Sequence, residues 1–413
     1  MKANVIGVVS DILSLEIKFM ERRSFLKMAS MGLPLTALSQ EKFASAQTSS
    51  QSFPLENVAE EGRQGLITRE RSPENLEYPF SSLHTSVTSN EQFYIRSHFA
   101  VPQLDSKAWR LKVEGTVRTP LELSLEDLMK MPLHTVPATL ECAGNNRVFL
   151  VPAARGAQWG SGAVSNAEWT GVSLSAVLQR AGISSRSVEV ILEGADNGEI
   201  KESPKPTGAI HYARSLPLDR ARQPEVLLAY RMNGKELPAS HGFPLRAVVP
   251  GWYGMASVKW LTRLIVVEKP FNGYFQSVDY ALWERPHGIP TRVPITEMQT
   301  KAQIARPDLH EVVSAGSVYR VFGAAWTGDS DIAKVEFSED GGKTWTLTQL
   351  LEKPVRYTWS FWEYRWSVPT TPGKYALMAR ATDKRGNMQP MQRPPDLENY
   401  VITHVIPVEV EVR

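Results

Sequence analysis

The sequence predicts an α+β domain over residues 47–290 followed by an all-β sandwich over residues 291–413, behind an N-terminal address segment of 46 residues. Three observations predict this. Short apolar runs with strand alternation are interleaved with two capped helical segments up to about residue 267. Beyond residue 300 only strand patterns and turn signals remain. The 28 prolines favour short strands and irregular connections over long helices.

The address segment comes first. Glu21-Arg22-Arg23-Ser24-Phe25-Leu26-Lys27 reads as a twin-arginine export signal. The uncharged stretch 28–40 follows, and Ala44-Ser45-Ala46 supplies a small-x-small cleavage pattern. That route carries folded proteins, so it implies a periplasmic destination. Met20 sits where such a signal begins, which leaves residues 1–19 as a candidate start-site artefact. Residues 47–90 are polar and Ser/Pro-rich and read as an extended wrapping segment.

In the first domain Trp109, Leu111 and Val113 alternate with charged residues, the mark of a half-buried strand. Ser124-Leu-Glu-Asp127 caps a short helix that stops before Pro132. Residues 135–142 form a strand running into Ala143-Gly144-Asn145. Ser173 caps a helix through Ala181 that ends at Gly182. Residues 188–193, 224–232, 246–249 and 257–267 are further strand or apolar runs. Glu284-Arg-Pro-His-Gly-Ile-Pro290 leads out of the domain, with the boundary near 284–300. The second domain offers strands at 318–326, 332–338, 345–351, 357–368, 375–382 and 404–412. Turns at Gly328-Asp329, Asp340-Gly341-Gly342, Pro372-Gly373 and Arg385-Gly386-Asn387 separate them. That count and spacing predict an immunoglobulin-like sandwich, one without a disulfide.

Composition excludes several function classes. Lys+Arg 46 against Asp+Glu 44 gives +2, too even for a chain that lives by wrapping nucleic acid. No apolar run reaches the roughly 20 residues of a membrane helix. The single cysteine, Cys142, leaves no disulfide framework, CxxC zinc site or CxxCH haem attachment. The eight histidines never pair at HxH or HxxxH spacing, which argues against a histidine-built zinc site. A lone cysteine is ordinarily an inert buried side chain. Here it ends a strand, enters a Gly-containing loop and has Arg147 close by, a setting that favours a thiolate.

Leu140-Glu141-Cys142-Ala143-Gly144-Asn145-Asn146-Arg147 resembles the cysteine motif of the sulfite oxidase family of molybdopterin-dependent oxidoreductases. Other segments resemble that family in order. They are Phe93-Tyr94-Ile95-Arg96-Ser97-His98, the Trp159–Gly171 segment read as a tryptophan-bearing loop, and Gly194-Ala195-Asp196. They continue with Tyr230 to Gly234, His241 to Arg246, Pro250-Gly251, Ser257-Val258-Lys259-Trp260 and Asp279-Tyr280. In the second domain Val335–Trp345 and Arg380–Pro390 resemble the family's dimerisation domain, which implies a homodimer. The resemblance implies Cys142 as the only protein ligand to molybdenum, held by a pterin dithiolene. It implies Tyr94, Arg96, His98, Asp196, His241, Arg246, Ser257 and Lys259 as cofactor-binding residues. Arg96, Arg147, Trp159 and Tyr280 are the implied substrate pocket, with sulfite as the substrate.

The chain departs from the animal and plant pattern. Asn146 stands where two successive arginines are usual, Ala256 where an arginine precedes the lysine segment, and Glu398-Asn399-Tyr400 where an arginine follows Trp-Asn. A less positive anion pocket follows. No haem domain is recognised, which implies a separate one-electron carrier, by analogy a c-type cytochrome. Competing readings are relatives acting on sulfane sulfur, methionine sulfoxide or nitrate. Outside the family they are a periplasmic binding module, or a cysteine-nucleophile hydrolase that would need a histidine base near Cys142.

Overall fold

A computed structural model describes residues 65–413. The expected export signal, the start-site reading of residues 1–19 and residues 47–64 of the wrapping segment lie outside the described residues.

The first part of the chain builds two five-stranded sheets. One runs Lys235–Glu236, Leu227–Met232, Val164–Ser173, Leu133–Glu141, with Arg246–Val248 also paired to Leu227–Met232. The other runs Leu121–Leu123, Leu111–Gly115, Leu261–Val267, Glu189–Glu199, Ala209–Pro217. Leu261–Val267 lies parallel to Leu111–Gly115 and antiparallel to Glu189–Glu199. Alternation explains Leu111–Gly115: Leu111 and Val113 are buried and Lys112 is exposed. Trp109 anchors its start by donating its indole N–H to the Leu261 carbonyl at 3.2 Å.

The helical share of the expected α+β domain is small. Four α-helices occur among the described residues, the longest Leu174–Ala181 at eight residues. Leu125–Met129 is set by a capping box, the Asp127 N–H donating to Ser124 Oγ and the Ser124 N–H to the Asp127 carboxylate. Leu174–Ala181 ends at Gly182, whose φ of 71° suits glycine. Its N-cap Ser173 makes no capping bond and pairs instead with Ser175 Oγ at 2.6 Å.

In the first part of the chain, two of the longer strands carried no readable signal. Val164–Ser173 occupies most of the segment expected to be a tryptophan-bearing loop; only residues up to 163 are loop. Nine of its ten residues are buried, so polar alternation is missing. Ala209–Pro217 follows the polar run 201–208 and alternates only at its first residues.

Beyond the Ala281–Glu284 and Thr291–Pro294 hairpin, which straddles residue 290, two sheets pack face to face. The four-stranded one runs Lys301–Arg306, Val318–Trp326, Ser360–Ser367, Gln349–Leu350. The five-stranded one runs Val312–Val313, Val408–Val412, Gly373–Asp383, Ile332–Ser338, Thr346–Leu347. Val321, Trp362 and Trp366 meet Val335, Phe337, Leu377 and Val410 in their shared core. The strand expected at 345–351 is two short ones. The chain crosses between sheets at buried Thr348, whose N–H donates to the Val335 carbonyl at 2.9 Å.

The sandwich is joined to the first part by a continuous core through Phe322, Ala324, Trp326, Trp359 and Val401. The join also holds a buried ion pair. Lys301 Nζ lies 2.8 Å from Glu141 Oε1, both side chains 1% exposed. Asn145 Nδ2 donates to Glu141 Oε1 and Trp326 Nε1 to Glu141 Oε2. Lys301 also donates to Asn146 Oδ1. Removing one partner of such a pair strands a charge and costs about 3–5 kcal/mol. Lys301→Met is therefore expected to lower unfolding stability by about that amount, and adding Glu141→Gln to recover more than half of it. Equilibrium urea unfolding of the wild type, single and double variants checks this; equal losses in both variants would show that the charge is not what matters.

Candidate active site

The strand Leu133–Glu141 delivers Cys142 to the floor of a cleft of about 650 Å³. The Cys142 N–H donates to the Ala163 carbonyl at 2.9 Å, and the Asn145 N–H returns to the Cys142 carbonyl at 2.9 Å. The tight loop depends on Gly144: a Cβ there would meet the Arg147 guanidinium at 2.2 Å. Asn146, at φ 73°, takes the left-handed turn asparagine tolerates. Cys142 is a free, buried thiol. Burial pushes its pKa up, while Arg96 and Arg147 pull the other way.

Ten of the expected residues converge on this cleft: Tyr94, Arg96, His98, Cys142, Asp196, His241, Arg246, Ser257, Lys259 and Tyr280. At one end sit the cations. Arg246 donates to the His241 and Ser257 carbonyls at 3.0 and 3.1 Å and lies 4.7 Å over the Trp169 ring. Burial pushes its pKa down to about 10. Lys259 Nζ donates to Ser97 Oγ and the Ser240 carbonyl at 3.1 and 2.9 Å, and lies 4.2 Å from the Trp260 ring centroid. Burial and Arg246 push its pKa down, against the pull of Asp196. Asp196 is buried and raised by that burial, against Lys259; its Oδ1 has no hydrogen-bond partner. Backbone carbonyls and hydroxyls thus hold these cations without a full set of counter-charges.

At the other end His98 stacks on Tyr212 at 4.6 Å, and its Nε2 lies 2.7 Å from the Tyr280 hydroxyl. Burial, aided by Arg96 and Lys259, holds the imidazole well below its usual range, so it is neutral at ordinary pH. Burial pushes the Tyr280 phenol up, with Arg96 opposing, so the hydroxyl keeps its proton. Buried Arg214 positions the tyrosine through the Phe275, Tyr280 and Ile295 carbonyls.

Two expected pocket residues do not line the cleft. Trp159 is wholly buried behind Tyr94, edge-on at 6.5 Å, because an indole of that size fills the layer beneath the loop. Arg147 is 3% exposed. Its Nε donates to the Asn399 carbonyl at 3.1 Å, its Nη1 to the Ala157 carbonyl at 2.7 Å, and its guanidinium stacks 5.1 Å from the Tyr400 ring centroid. It acts as a clamp on the cysteine loop, with two of its N–H donors engaged by backbone carbonyls and its charge felt at Cys142. Sequence reasoning missed Tyr212, Met255 and Arg214, and noted Tyr400 only for what it replaces. Tyr400 packs 4.8 Å from Tyr280 and donates to Asp279 Oδ1 at 2.7 Å. Their distant chain positions explain the omission: only the fold brings them together.

The donor set fits a molybdenum-pterin cofactor. Among the described residues no cluster of three or more His, Cys, Asp or Glu is arranged to hold a metal. A metal at Cys142 therefore draws its other donors from a bound organic ligand, and the soft sulfur of Cys142 suits molybdenum. The unpartnered Asp196 Oδ1 is an acceptor for ring or amino N–H groups, and Arg246 and Lys259 suit a phosphate.

The chain matches the oxidoreductase molybdopterin binding domain over residues 98–275 and the Mo-co oxidoreductase dimerisation domain over residues 292–402. It is 38% identical over 343 residues to the mitochondrial sulfite oxidase of Rattus norvegicus, covering 79% of this chain and 61% of that protein. It is 36% identical over 344 residues to the sulfite oxidase of Gallus gallus, covering 79% and 73%. The chain thus spans about three fifths of the length of the mammalian relatives it matches. The structure superposes on the sulfane dehydrogenase SoxCD of Paracoccus pantotrophus with a TM-score of 0.72 at 25% identity, over 91% of this chain and 96% of that one. With a thiol-floored, cation-lined cleft, both domain matches and these relatives, the chain belongs to the sulfite oxidase family of molybdenum-molybdopterin oxidoreductases.

Proposed function

We propose that this protein is a sulfite dehydrogenase that converts sulfite to sulfate and passes electrons, one at a time, to a separate c-type cytochrome. The observation that carries the reading is the Cys142 thiol on the floor of a cleft lined by Arg96, Arg246, Lys259 and Asp196, whose Oδ1 has no hydrogen-bond partner. The molybdenum cofactor, when bound, supplies two-electron oxo-transfer chemistry. Cys142 is its protein ligand; Asp196, His241, Arg246, Ser257 and Lys259, with Tyr94 and His98, hold the organic part. Arg96 fixes the anionic substrate, and Tyr280, held by neutral His98, presents a protonated hydroxyl beside it. The sandwich is read as immunoglobulin-like and as the homodimer contact, supported by the dimerisation-domain match. The twin-arginine pattern supports a periplasmic destination. A second reading, oxidation of sulfane sulfur, is favoured by the likeness to the sulfane dehydrogenase and by the engaged donors of Arg147.

The direct test is steady-state sulfite oxidation with cytochrome c on protein of known molybdenum content. Cys142→Ser is expected to stay folded and lose that activity, since an alcohol is a hard, poor substitute for the thiolate. Retention of more than about a tenth of wild-type turnover at equal molybdenum loading would refute the ligand assignment.

The two arginines are expected to separate. Arg96→Gln loses a charged contact worth about 1.5–3 kcal/mol, hence roughly one to two decades in kcat/KM, mostly in KM. Arg147→Gln is expected to reduce thermal stability as well, because it releases the Asn399 and Ala157 carbonyls. Sulfite kinetics and melting curves on both variants check this; wild-type kinetics for Arg96→Gln would move the anion site elsewhere.

Replacing Arg22-Arg23 by Lys-Lys is expected to keep the protein in the cytoplasm, as measured by cell fractionation. Normal periplasmic appearance would remove the export reading.

A further inference from the structure

A second cavity, of about 620 Å³, lies where the sandwich meets the first part of the chain. Phe80, Asn146, Phe149 and Ser161 line it from the first part; residues 301–305 and His404, Ile406 and Val408 line it from the sandwich. It shares no lining residue with the cleft that holds Cys142. Two of its residues keep polar atoms without a partner among the described residues. Gln303 is 8% exposed; its Nε2 donates to the Ser161 carbonyl at 2.9 Å, while its Oε1 is unpaired. His404 Nδ1 is also unpaired. Burial, with Arg393 and Lys301 adding to it, holds that imidazole below its usual range, so the ring is neutral at ordinary pH. Unpaired buried groups cost stability, and a bound molecule that pairs them recovers it.

The charge and the apolar wall set the ligand's chemistry. The Lys301 ammonium is matched by Glu141 at 2.8 Å. Asp308, the one carboxylate in the lining, is exposed at the rim and accepts the Leu309 N–H. A charged ligand would therefore bring an uncompensated charge into the interior. Phe80, Phe149, Ile304, Leu309, Ile406 and Val408 supply the apolar wall. The volume falls in the range of about 300–1,000 Å³ usual for small-molecule sites. We propose that this cavity is a second binding site, for a small uncharged molecule with an apolar body and an amide-type head. The head offers an N–H to Gln303 Oε1 and a carbonyl to the His404 imidazole. Asn146 and Lys301 hold the cysteine loop and also line the cavity, so the occupant adjoins residues that set the position of Cys142. This site depends neither on the cofactor nor on the sulfite reading.

The test titrates the holoenzyme calorimetrically with three probes of one outline: benzamide, benzoate and toluene. Benzamide is expected to bind with a dissociation constant below about 1 mM, and at about ten times that constant to raise the melting temperature by about 2 °C. Benzoate carries a charge and toluene has no head group, and each is expected to bind at least about tenfold more weakly. No binding of benzamide leaves the cavity to water and overturns the proposal; benzoate or toluene binding as tightly as benzamide overturns the assigned chemistry. Two variants locate the probe. Ile406→Trp adds bulk at a half-buried position of the lining and is expected to abolish benzamide binding. Gln303→Leu removes the unpaired acceptor and is expected to weaken benzamide about tenfold and to tighten toluene. Unchanged benzamide binding in folded Ile406→Trp puts the probe elsewhere and overturns the site, a result that decides even where Gln303→Leu fails to fold.

Discussion

The buried pair of Glu141 and Lys301 is the constraint on which the site rests. Glu141 is the residue before Cys142, and Lys301 begins the first strand of the sandwich. A carboxylate and an ammonium at 1% exposure are tolerable only because each is satisfied several times over, by Asn145, Asn146 and Trp326 as well as by one another. Those same bonds fix the cysteine loop: Asn145 turns its other amide atom to the Ala163 N–H, and Asn146 reaches Ser161. The loop that presents the thiol is thus held from the sandwich side as firmly as from its own sheet. Val401 adds a further tie, its N–H donating to the Ala143 carbonyl at 2.7 Å.

The cleft separates two electrostatic tasks. Its cofactor end pairs cations with neutral oxygens, so a polyanion can enter without displacing a full set of counter-ions. Its Tyr280 end keeps an imidazole neutral and a phenol protonated through burial. His98 therefore serves as a hydrogen-bonding partner and not as a cation, and the local charge is left to arginines that cannot lose theirs.

Much of this was legible in the sequence, and the limits have physical causes. Leu111–Gly115 and the capping box at Ser124 announce themselves because local pattern and local structure coincide. Val164–Ser173 is silent because burial on both faces erases alternation. The Cys142, Asp196 and His241–Arg246 segments read as chemistry because each is a short motif with its own turn. Trp159 and Arg147 sit one layer back because a residue's distance from a cleft is a property of packing. Tyr400 could be named from sequence only as a missing arginine; its contacts with Tyr280, Asp279 and Arg147 exist only after the sandwich docks.

The clamp between Arg147 and the Asn399 carbonyl spans 252 residues of chain. All of that sequence must be made before the clamp can form. Contacts of such separation form late, after the local sheets. The cysteine loop is therefore tied to the far end of its own chain, so that an altered C-terminal segment reaches the thiol without touching the cleft.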